Sequence, residues 1–535
     1  MPPSVVAVVM VLQRLEGLSD REAVERYSFD TRWRYAAGGG GYDGGGPTSF
    51  VHTVLVDMRE RLRNSKRPDR IFEAALGAAK DAGLVTNKRV LDSTPLYDAV
   101  ATMDTVTLIR SGIRGLLKVA DAELAGVIRE AMTSGDDYAT SAKPMIDWDD
   151  KEAQAQLVDS RAKDAYACLV VLDGAELDPV LTQAATLLAT VVGQDLEEDA
   201  DGVFRIARKV SKDRVISTVD PQARHGHKTQ SRKFDGYKGH IAIDPDSEII
   251  TATTVTAGNA GDASVAEELI ADLLDDGSAA AYVAAANVAA ANVAAAHDAA
   301  ADDAVANDAV ADAAVAVENA TPAPGANSDI TAGSVEHSVA RPTGESDRPA
   351  VYGDNAYGTG PFHERLEEAG IDSRCKTQDP CARGELFTKD RFDVDLADDT
   401  VTCPAGVTVS IKRHRRGGGL AQFKDACASC PMQAECTSST SGRTISINAH
   451  EEALARARAR QQNPRWRDDY RGTRPKVERK IAHLMRRKHG GRNARVRGTK
   501  RIGDDFALLA AAANLARLAV LGVHSQGATW AVAAA

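Results

Sequence analysis

A strongly basic helix near the end of the chain restricts the possible folds most, because it carries one carboxylate among many cations. Residues 474–488 have apolar side chains spaced close to 3.6 residues apart, and Pro475 stands where a helix can begin without losing a hydrogen bond. Glu478 falls on the apolar face of this helix, which we expect to pack inward. That face is completed by Ile481, Ala482 and Met485.

A plainer interpretation of Glu478 is an exposed side chain that pairs with Arg474, four residues earlier. On an isolated helix we would favour that interpretation. The rest of the chain favours an inward-pointing Glu478 instead, because it supplies two further carboxylates at or near the ends of predicted strands. We therefore expect Glu478 to point toward them.

The charge distribution predicts a nucleic-acid surface, although the whole chain of 535 residues has a net charge of −11. From residue 456 to residue 501 there are 18 Lys or Arg side chains and only three acids. Binding to a phosphate backbone depends on such a local basic surface and not on the sum over the chain. The expected DNA contacts are Arg474, Lys476, Arg479, Lys480, Arg486, Arg487 and Lys488.

Length and composition bound the class of protein. A chain of this length holds two to four domains. No segment has about 18 or more consecutive apolar residues, so we expect no membrane span. Seven cysteines, an odd number in a large chain, indicate a reducing cytoplasm rather than a disulfide framework.

The first 85 residues are predicted to form a helical domain. Two helices are separated at Gly17, and Ser19 with Glu22 has the pattern of a capping box at the start of the second. A partly basic helical domain of this size suits a helix-turn-helix DNA binder. A plain helical bundle fits residues 1–85 equally well.

Two predicted strands carry an aspartate at or near their ends. A short strand in residues 88–98 ends at Pro95 and has Asp92 near its end, and a short strand that begins at residue 349 ends at Asp354. Between them, residues 234–256 contain two β-branched runs joined by a tight turn, which predicts an antiparallel hairpin. Side chains at strand tips face the crevice in which sites form in α/β proteins.

The remaining segments complete a predicted domain plan. Residues 214–219 are expected to form a strand, and residues 524–535 a frayed tail. The predicted core comprises residues 86–98, 214–276, 348–372 and 463–523. The predicted insertions are a helical one at 99–213, a low-complexity, disordered one at 277–347 and a β-rich, Cys-containing one at 373–450.

Four cysteines of the last insertion predict a possible metal site. A Cys-x-x-Cys pair with two further thiolates closes a tetrahedral structural zinc site when the four side chains converge. Reduced, buried cysteines are an equally good interpretation. The candidate zinc ligands are Cys403, Cys427, Cys430 and Cys436.

Asp92, Asp354 and Glu478 together suit a hard cation. Oxygen ligands from separate elements favour Mg²⁺ or Mn²⁺ over zinc. Two such ions about 3.5–4 Å apart stabilise both the attacking and the leaving oxygen of an in-line displacement at phosphorus. Other aspartates are rival ligands, each better explained as a cap, a turn or a solvated side chain; they are Asp98, Asp104, Asp220, Asp244 and Asp505. Three histidines are open to a DNA contact or a structural role; they are His225, His227 and His240.

The combination of motifs resembles the DDE-type transposases of bacterial insertion sequences. The motifs are Leu91-Asp-Ser-Thr-Pro, Thr218-Val-Asp-Pro, Gly236-Tyr-Lys-Gly-His-Ile-Ala-Ile-Asp, Tyr352-Gly-Asp-Asn-Ala-Tyr-Gly and Arg474-Pro-Lys-Val-Glu. The resemblance implies an α/β fold, with an RNase H-like mixed sheet flanked by helices. It also implies a catalytic triad, two divalent ions per site, and cleavage and joining at terminal inverted repeats by a dimer on DNA. The triad is Asp92, Asp354 and Glu478. Many relatives have Lys seven residues after the Glu, where this chain has Met485; Arg486 or Arg487 is the substitute.

Two other functions remain open at this stage. One is a metal-dependent nuclease that cuts DNA without joining it. The other is a catalytically inactive, transposase-derived DNA-binding protein. A joined DNA product separates the first from a transposase, and cleavage of any kind excludes the second.

Overall fold

A computed structural model of the chain describes residues 1–38, 49–98, 100–229, 232–274, 348–381, 384–415, 417–527 and 529–533. The predicted low-complexity insertion at 277–347 lies outside these residues. The described chain forms two compact units. The first contains the described parts of Met1–Ala99, Gln222–Ala280 and Arg348–Ala535, and the second is Val100–Pro221 in its described part.

The elements are numbered here along the described chain. The helices are α1 (Pro3–Glu16), α2 (Asp20–Phe29), α3 (Thr31–Ala36), α4 (Thr53–Arg63), α5 (Arg70–Asp81), α6 (Thr105–Val119), α7 (Ala122–Ala131), α8 (Lys151–Leu172), α9 (Pro179–Asp195), α10 (Ala266–Leu269), α11 (Gly360–Glu368), α12 (Gln433–Cys436), α13 (Glu451–Gln462), α14 (Pro464–Thr473), α15 (Pro475–Leu484) and α16 (Thr499–Val520). The strands are β1 (Lys88–Tyr97), β2 (Leu196–Glu198), β3 (Phe204–Ile206), β4 (Arg224–Thr229), β5 (Arg232–Ile243), β6 (Ile250–Ala257), β7 (Ala350–Gly353), β8 (Asp372–Cys375), β9 (Asp393–Asp395), β10 (Thr400–Thr402), β11 (Thr408–Arg413), β12 (Gly419–Gln422), β13 (Thr444–Ile447), β14 (Val523–Gln526) and β15 (Thr529–Val532).

The first unit is built on a mixed sheet. Its strands lie in the order β6-β5-β1-β7-β8, and β4 pairs with the first part of β5. β5 is antiparallel to its neighbours, whereas β1, β7 and β8 are parallel to one another. The predicted hairpin is β5 and β6. This is the RNase H-like mixed sheet that the sequence predicts, and the fold class is confirmed.

The prediction of a strand at residues 214–219 is wrong. This stretch belongs to the second unit and has no strand pairing. The amide side chain of Gln194 bonds both the N–H and the carbonyl of Val215, at 2.8 and 3.0 Å. The carbonyl of Ile216 accepts from the N–H of Met103 at 2.9 Å. Because these bonds satisfy the buried backbone, the β-branched residues need no strand partner.

Helix α16 covers the sheet. Asn514 is fully buried and bonds both the N–H and the carbonyl of Ile250 in β6, each at 2.8 Å. The helix begins at Thr499 and ends at Val520. Leu508 and Ala512 of the same helix belong to one apolar cluster with residues of α1 to α4. The N-terminal helices therefore share an apolar core with α16, the helix that covers the sheet.

The cap at the start of α2 forms as the sequence predicts. Ser19 accepts from the N–H of Glu22, and the Glu22 side chain accepts from the N–H of Ser19. Gly17 ends α1 with a φ of 68°, a left-handed conformation that favours glycine.

The second unit is a helical assembly of α6 to α9 with the short antiparallel hairpin β2–β3. Its apolar cluster includes Ile109, Ile128 and Leu188, all fully buried. A buried ion pair joins Arg110 to Asp136 at 2.6 Å. The unit is folded around its own core.

The Cys-containing segment of the first unit is an antiparallel sheet in the order β13-β12-β11-β10-β9. Farther along the chain, the tail predicted to be frayed forms the antiparallel hairpin β14–β15. Gly527 has a φ of 66° in the turn between these strands. The tail prediction is wrong because this turn lets the two short runs pair as strands. Within the described residues, no helix is long and apolar enough to cross a membrane.

Candidate active site

Asp92 and Asp354 lie side by side on two neighbouring parallel strands. The register of β1 and β7 places Val90 opposite Tyr352, and each aspartate follows its paired residue by two positions. Asp92 lies within β1, which continues to Tyr97, whereas Asp354 directly follows the end of β7. Neighbouring strands are about 4.8 Å apart, so the two aspartates stand next to each other where the pairing of β1 with β7 ends. The Asp92 side chain is mostly buried, and the Asp354 side chain is about half exposed.

The turn after β7 fixes the backbone of Asp354. Its Oδ1 accepts from the N–H of Ala356 at 2.9 Å, and its carbonyl accepts from the N–H groups of Tyr357 and Gly358 at 3.1 Å. An Asp side chain that bonds the backbone two residues later is typical of such turns. Tyr357 is fully buried beneath this turn.

Arg474 brings all three predicted acids together. It lies between α14 and α15, and its side chain is only 8% exposed. Nη2 lies 2.9 Å from Asp92 Oδ1, and Nη1 lies 3.2 Å from Asp92 Oδ2. Nη2 lies 3.8 Å from Asp354 Oδ2, and Nη1 lies 3.7 Å from Glu478 Oε1. The three carboxylates therefore surround one guanidinium.

The predicted orientation of the basic helix needs correction. Glu478 does not point into the core: its side chain is 62% exposed, and Ala482 is exposed as well. The buried positions of α15 are Val477, Lys480, Ile481 and Leu484. Val477 and Leu484, which are seven residues apart, lie on the buried face of α15. The helix is therefore rotated about its own axis relative to the predicted orientation. The plainer interpretation of Glu478, an exposed acid paired with Arg474, is what the structure contains. Arg474 nevertheless keeps Glu478 at the edge of the aspartate pair.

Burial and the neighbouring charges shift the pKa values of Asp92 and Arg474 in opposite directions. Burial raises the pKa of Asp92, and the adjacent Arg474 opposes that rise. Burial lowers the pKa of Arg474, but its contacts with Asp92 outweigh that effect and leave the pKa raised overall. Because charged groups are costly to bury alone, Asp92 and Arg474 depend on each other.

The chemistry of the three acids fits a divalent cation, but their present arrangement is built around a guanidinium. Hard carboxylate oxygens from separate elements are suitable ligands for Mg²⁺ or Mn²⁺. In the described part of the chain, no group of three or more His, Cys, Asp or Glu side chains has the geometry to hold a metal ion. Asp92, Asp354 and Glu478 would hold the ion, and Arg474 now takes the position between them.

Two groups beside the acids were not predicted from the sequence. Tyr470 Oη donates to the carbonyl of Gly353 at 3.2 Å, and its ring stacks on Trp466 at 5.1 Å between centroids. The spacing of Tyr470 and Arg474, one helical turn apart, is the signal that could have placed both at the site.

The second unpredicted group is centred on Asp262. Ser93, next to Asp92, donates to Asp262 Oδ2 at 2.6 Å, and Lys238 Nζ lies 2.8 Å from Asp262 Oδ1. These contacts attach the strand that carries Asp92 to the segment after β6. No periodicity in the sequence indicates these contacts of Asp262, because they depend on how the segment after β6 folds back onto the sheet.

The histidines and several rival acids have structural roles. His240 is fully buried, with Nε2 2.9 Å from Thr256 Oγ1, and burial lowers its pKa to about 4. Asp244 accepts from the N–H groups of Thr86 and Ser247 at 2.7 and 2.9 Å.

Other predicted rivals also have caps or partners. Asp104 caps α6 by accepting from the N–H of Thr107. Asp505 pairs with Arg14 at 3.3 Å. His225 Nδ1 lies 2.5 Å from an Asp235 carboxylate oxygen.

The predicted DNA contacts divide into buried and exposed side chains. Arg474 and Lys480 are each 6% exposed, so neither belongs to an open cationic surface. Arg479 is exposed and pairs with Glu248 at 2.8 Å, and Lys476 lies 3.4 Å from Asp246. Arg486 and Lys488 are exposed, and the side chain of Arg487 lies outside the described part of the structure. Further exposed cations nearby are Arg465, Arg467, Arg471, Arg492 and Arg497.

The four candidate zinc ligands border one small cavity in the Cys-containing sheet. Burial raises the pKa of the Cys436 thiol. Cys403, Cys427 and Cys436 also take part in the apolar cluster of this sheet, around Val401 and Phe423. All the cysteines in the chain are free. The thiols are thus gathered in one place without the geometry of a closed zinc site.

Comparison with protein families points to one class. Two segments match models described as transposase DDE domain: residues 208–285 and residues 402–519. These matches support a DDE-type transposase. Arg474 and Glu478 lie inside the second matched segment, whereas Asp92 and Asp354 lie outside both. No curated protein and no solved structure matches the chain significantly.

Proposed function

We propose that this transposase cleaves DNA at the terminal inverted repeats of an insertion sequence and joins the released ends to target DNA. Asp92, Asp354 and Glu478 are its proposed catalytic carboxylates. One observation carries the proposal: side chains from β1, from the end of β7 and from α15 meet around a single guanidinium. The matched DDE domains support phosphodiester chemistry.

In this proposal the carboxylates bind Mg²⁺ or Mn²⁺, two ions per site. Bound at such a site, these ions activate a water or a 3′-hydroxyl and stabilise the leaving oxygen. The protein contributes the ligands and their spacing: Asp92 and Asp354 are fixed by neighbouring strands, and Glu478 by the first turn of α15. The half-exposed Asp354 and the exposed Glu478 leave the site open to a DNA strand.

The proposed DNA surface is formed by the exposed cations of α14, α15 and the segment after α15. These side chains extend from Arg465 to Arg497 and lie on the same elements that supply Arg474 and Glu478. Basic side chains position the phosphate backbone without reading its sequence. We propose a homodimer on DNA, because joining two element ends requires two sites, and association with the nucleoid in the cytoplasm. A structural zinc bound by the four cysteines is part of the same proposal.

The test uses the full chain and DNA duplexes that carry the inverted repeats flanking its gene. With Mg²⁺ we expect cleaved and joined products. Asp92→Asn, Asp354→Asn and Glu478→Gln should each lower the rate about 10³-fold, since metal ligands contribute several kcal/mol to the transition state. Asp468→Asn is the matched control, because Asp468 is exposed on α14 and pairs only weakly with Arg471, at 3.5 Å. Cleaved DNA without joined product would indicate a nuclease instead.

A second candidate function is DNA binding without catalysis. The guanidinium of Arg474 at the centre of the acids favours it, because a cation already neutralises part of their charge. Such a protein would bind the repeats equally well in EDTA and in Mg²⁺ and would leave the duplex intact in both.

A further inference from the structure

Arg474 is held at the centre of the acid group by unequal contacts. It makes a two-point salt bridge with Asp92, at 2.9 and 3.2 Å. Its distances to Asp354 and Glu478, 3.8 and 3.7 Å, are too long for hydrogen bonds. Asp354 and Glu478 are thus attracted to the guanidinium but not saturated by it.

The guanidinium itself is incompletely satisfied. Its Nε is buried and has no hydrogen-bond partner among the residues that the structure describes. A buried donor without a partner is unfavourable, and most buried donors in folded proteins have one. The present position of Arg474 therefore has a cost that is offset by the nearby carboxylates.

A metal ion and this guanidinium compete for the same electron pairs. Both oxygens of Asp92 contact Arg474, and Oδ1 also accepts from the N–H of Ser93 at 2.8 Å. The lone pairs of Asp92 on the side of the other acids are therefore directed at the guanidinium. Two positive groups within a few ångströms also repel each other strongly in a partly buried site. Binding of a divalent ion between the acids thus requires the guanidinium to leave.

We propose that Arg474 is a positioning residue that holds the three carboxylates together in the metal-free protein and competes with the divalent ion for them. This inference rests on the proposed function, because it takes the three acids as the metal ligands. Arg474 prevents mutual repulsion of the acids before the ion arrives. The same contacts reduce the affinity of the site for the ion.

The experiment measures Mn²⁺ binding to the full chain without DNA, by the loss of the free Mn²⁺ signal in electron paramagnetic resonance. The variant is Arg474→Gln, which removes the charge but keeps a hydrogen-bond donor near Asp92. We expect it to bind Mn²⁺ at least about tenfold more tightly than the natural protein, since the competing cation is gone. Adding Glu478→Gln to this variant should abolish the gain and so locate the ion.

Two further variants separate charge from geometry. Arg413→Gln is the control, because Arg413 is exposed on β11 and pairs with Asp399 at 2.7 Å. It should leave Mn²⁺ affinity unchanged. Arg474→Lys keeps the charge but loses the two-point contact, so its affinity should lie between those of the natural protein and Arg474→Gln. It also provides the test if Arg474→Gln does not fold.

Each result supports or overturns the proposal. If Arg474→Gln binds Mn²⁺ no more tightly than the natural protein, Arg474 is a fixed structural partner and the inference is wrong. If only Arg474→Lys folds, the same conclusion follows when its Mn²⁺ affinity does not exceed that of the natural protein. That outcome leaves the proposed function intact. If no folded variant binds Mn²⁺ at millimolar concentration, the acids are not metal ligands, and the proposed function fails together with the inference.

Discussion

Arg474 and Asp92 are 382 residues apart in the chain, yet they form a two-point salt bridge in a largely buried setting. The pair ties the start of α15 to the middle of β1, the first strand of the mixed sheet. Removing one partner of a buried ion pair leaves the other charge uncompensated. The pair should therefore matter for stability as well as for the acid group.

We expect Arg474→Ala to destabilise the metal-free protein by about 3–5 kcal/mol, the usual cost of breaking a buried pair on one side. The reason is that Asp92 would stay buried without its cation, beside two other acids. Thermal unfolding measured by circular dichroism in EDTA tests this. Arg471→Ala is the control, since the Arg471 side chain is 73% exposed, and it should have almost no effect. Equal melting temperatures for the two variants would contradict the expectation.

The exposed cations after α15 should contribute to DNA affinity, and the buried Lys480 should not. Replacing Arg486 and Lys488 together by Ala should weaken binding to any duplex and lower the slope of log affinity against log salt by about 2, because about one counterion is released per phosphate contact. Fluorescence anisotropy over a salt series measures both quantities. Lys480→Met should keep the salt slope, since its ammonium is buried in the protein. A loss of slope in Lys480→Met would place that residue on the DNA surface.

The zinc proposal predicts about one zinc ion per chain in protein purified without chelators. Cys427→Ser with Cys430→Ser should abolish the bound metal, measured by mass spectrometry of the elements, and lower the melting temperature. Cys168→Ser is the control, because Cys168 is buried in the helical unit. Zinc-free protein with an unchanged melting temperature would show that the four thiols are ordinary buried side chains. In zinc-free protein, the apolar cluster around Val401 and Phe423 would stabilise the sheet.

Gly358 lies in the turn that follows Asp354, and there is no room for a side chain there. A Cβ at this position would come within 1.9 Å of the Lys376 carbonyl oxygen. Gly358→Ala should therefore shift the backbone beside Asp354, cost about 1–3 kcal/mol and reduce catalysis. Gly503 in α16 is the matched control: a Cβ there meets nothing within 4 Å. Gly503→Ala should stabilise the protein by up to about 1 kcal/mol. Urea unfolding of both variants tests the contrast, and equal midpoints would contradict it.

The sheet could be predicted from the sequence because its signals are local. Alternating β-branched residues define β5 and β6, and the parallel register of β1 and β7 brings Asp92 and Asp354 together. The strand predicted at 214–219 has a similar local pattern. It does not form because Gln194, 21 residues before Val215, supplies the hydrogen bonds that a neighbouring strand would supply.

The helical part of the site could not be predicted to the same degree. Periodicity predicts the start of α15, but the helix ends at Leu484 and not at the predicted Lys488, and the face that turns inward depends on what the helix packs against. Val477 and Leu484 take the buried positions, and Glu478 is left at the surface. The role of Arg474 depends on Asp92 and Asp354, which lie much earlier in the chain. A pattern of cations around a carboxylate cannot distinguish a DNA contact from an internal counter-ion.

The last prediction concerns pH and a histidine next to the sheet. His363 on α11 is fully buried between Ser373 and Thr377, whose hydroxyls lie 2.8 and 2.7 Å from its ring nitrogens. Burial lowers its pKa to about 4 from the usual value near 6.5. Between these two values the unfolded chain takes up a proton that the folded protein refuses. Stability should therefore fall as the pH drops from about 6.5 to about 4, by up to about 3 kcal/mol from this residue.

His363→Gln should reduce this fall, because glutamine does not titrate, although it should cost some stability at pH 7 through poorer packing. Melting temperatures of the variant and the natural protein, measured from pH 4 to pH 8, should converge on the acid side. His414→Gln is the control, since His414 is exposed on the Cys-containing sheet, and it should leave the pH profile unchanged. Parallel profiles for His363→Gln and the natural protein would show that His363 is not the group whose protonation opposes folding, and would assign the acid sensitivity to other buried groups such as His240.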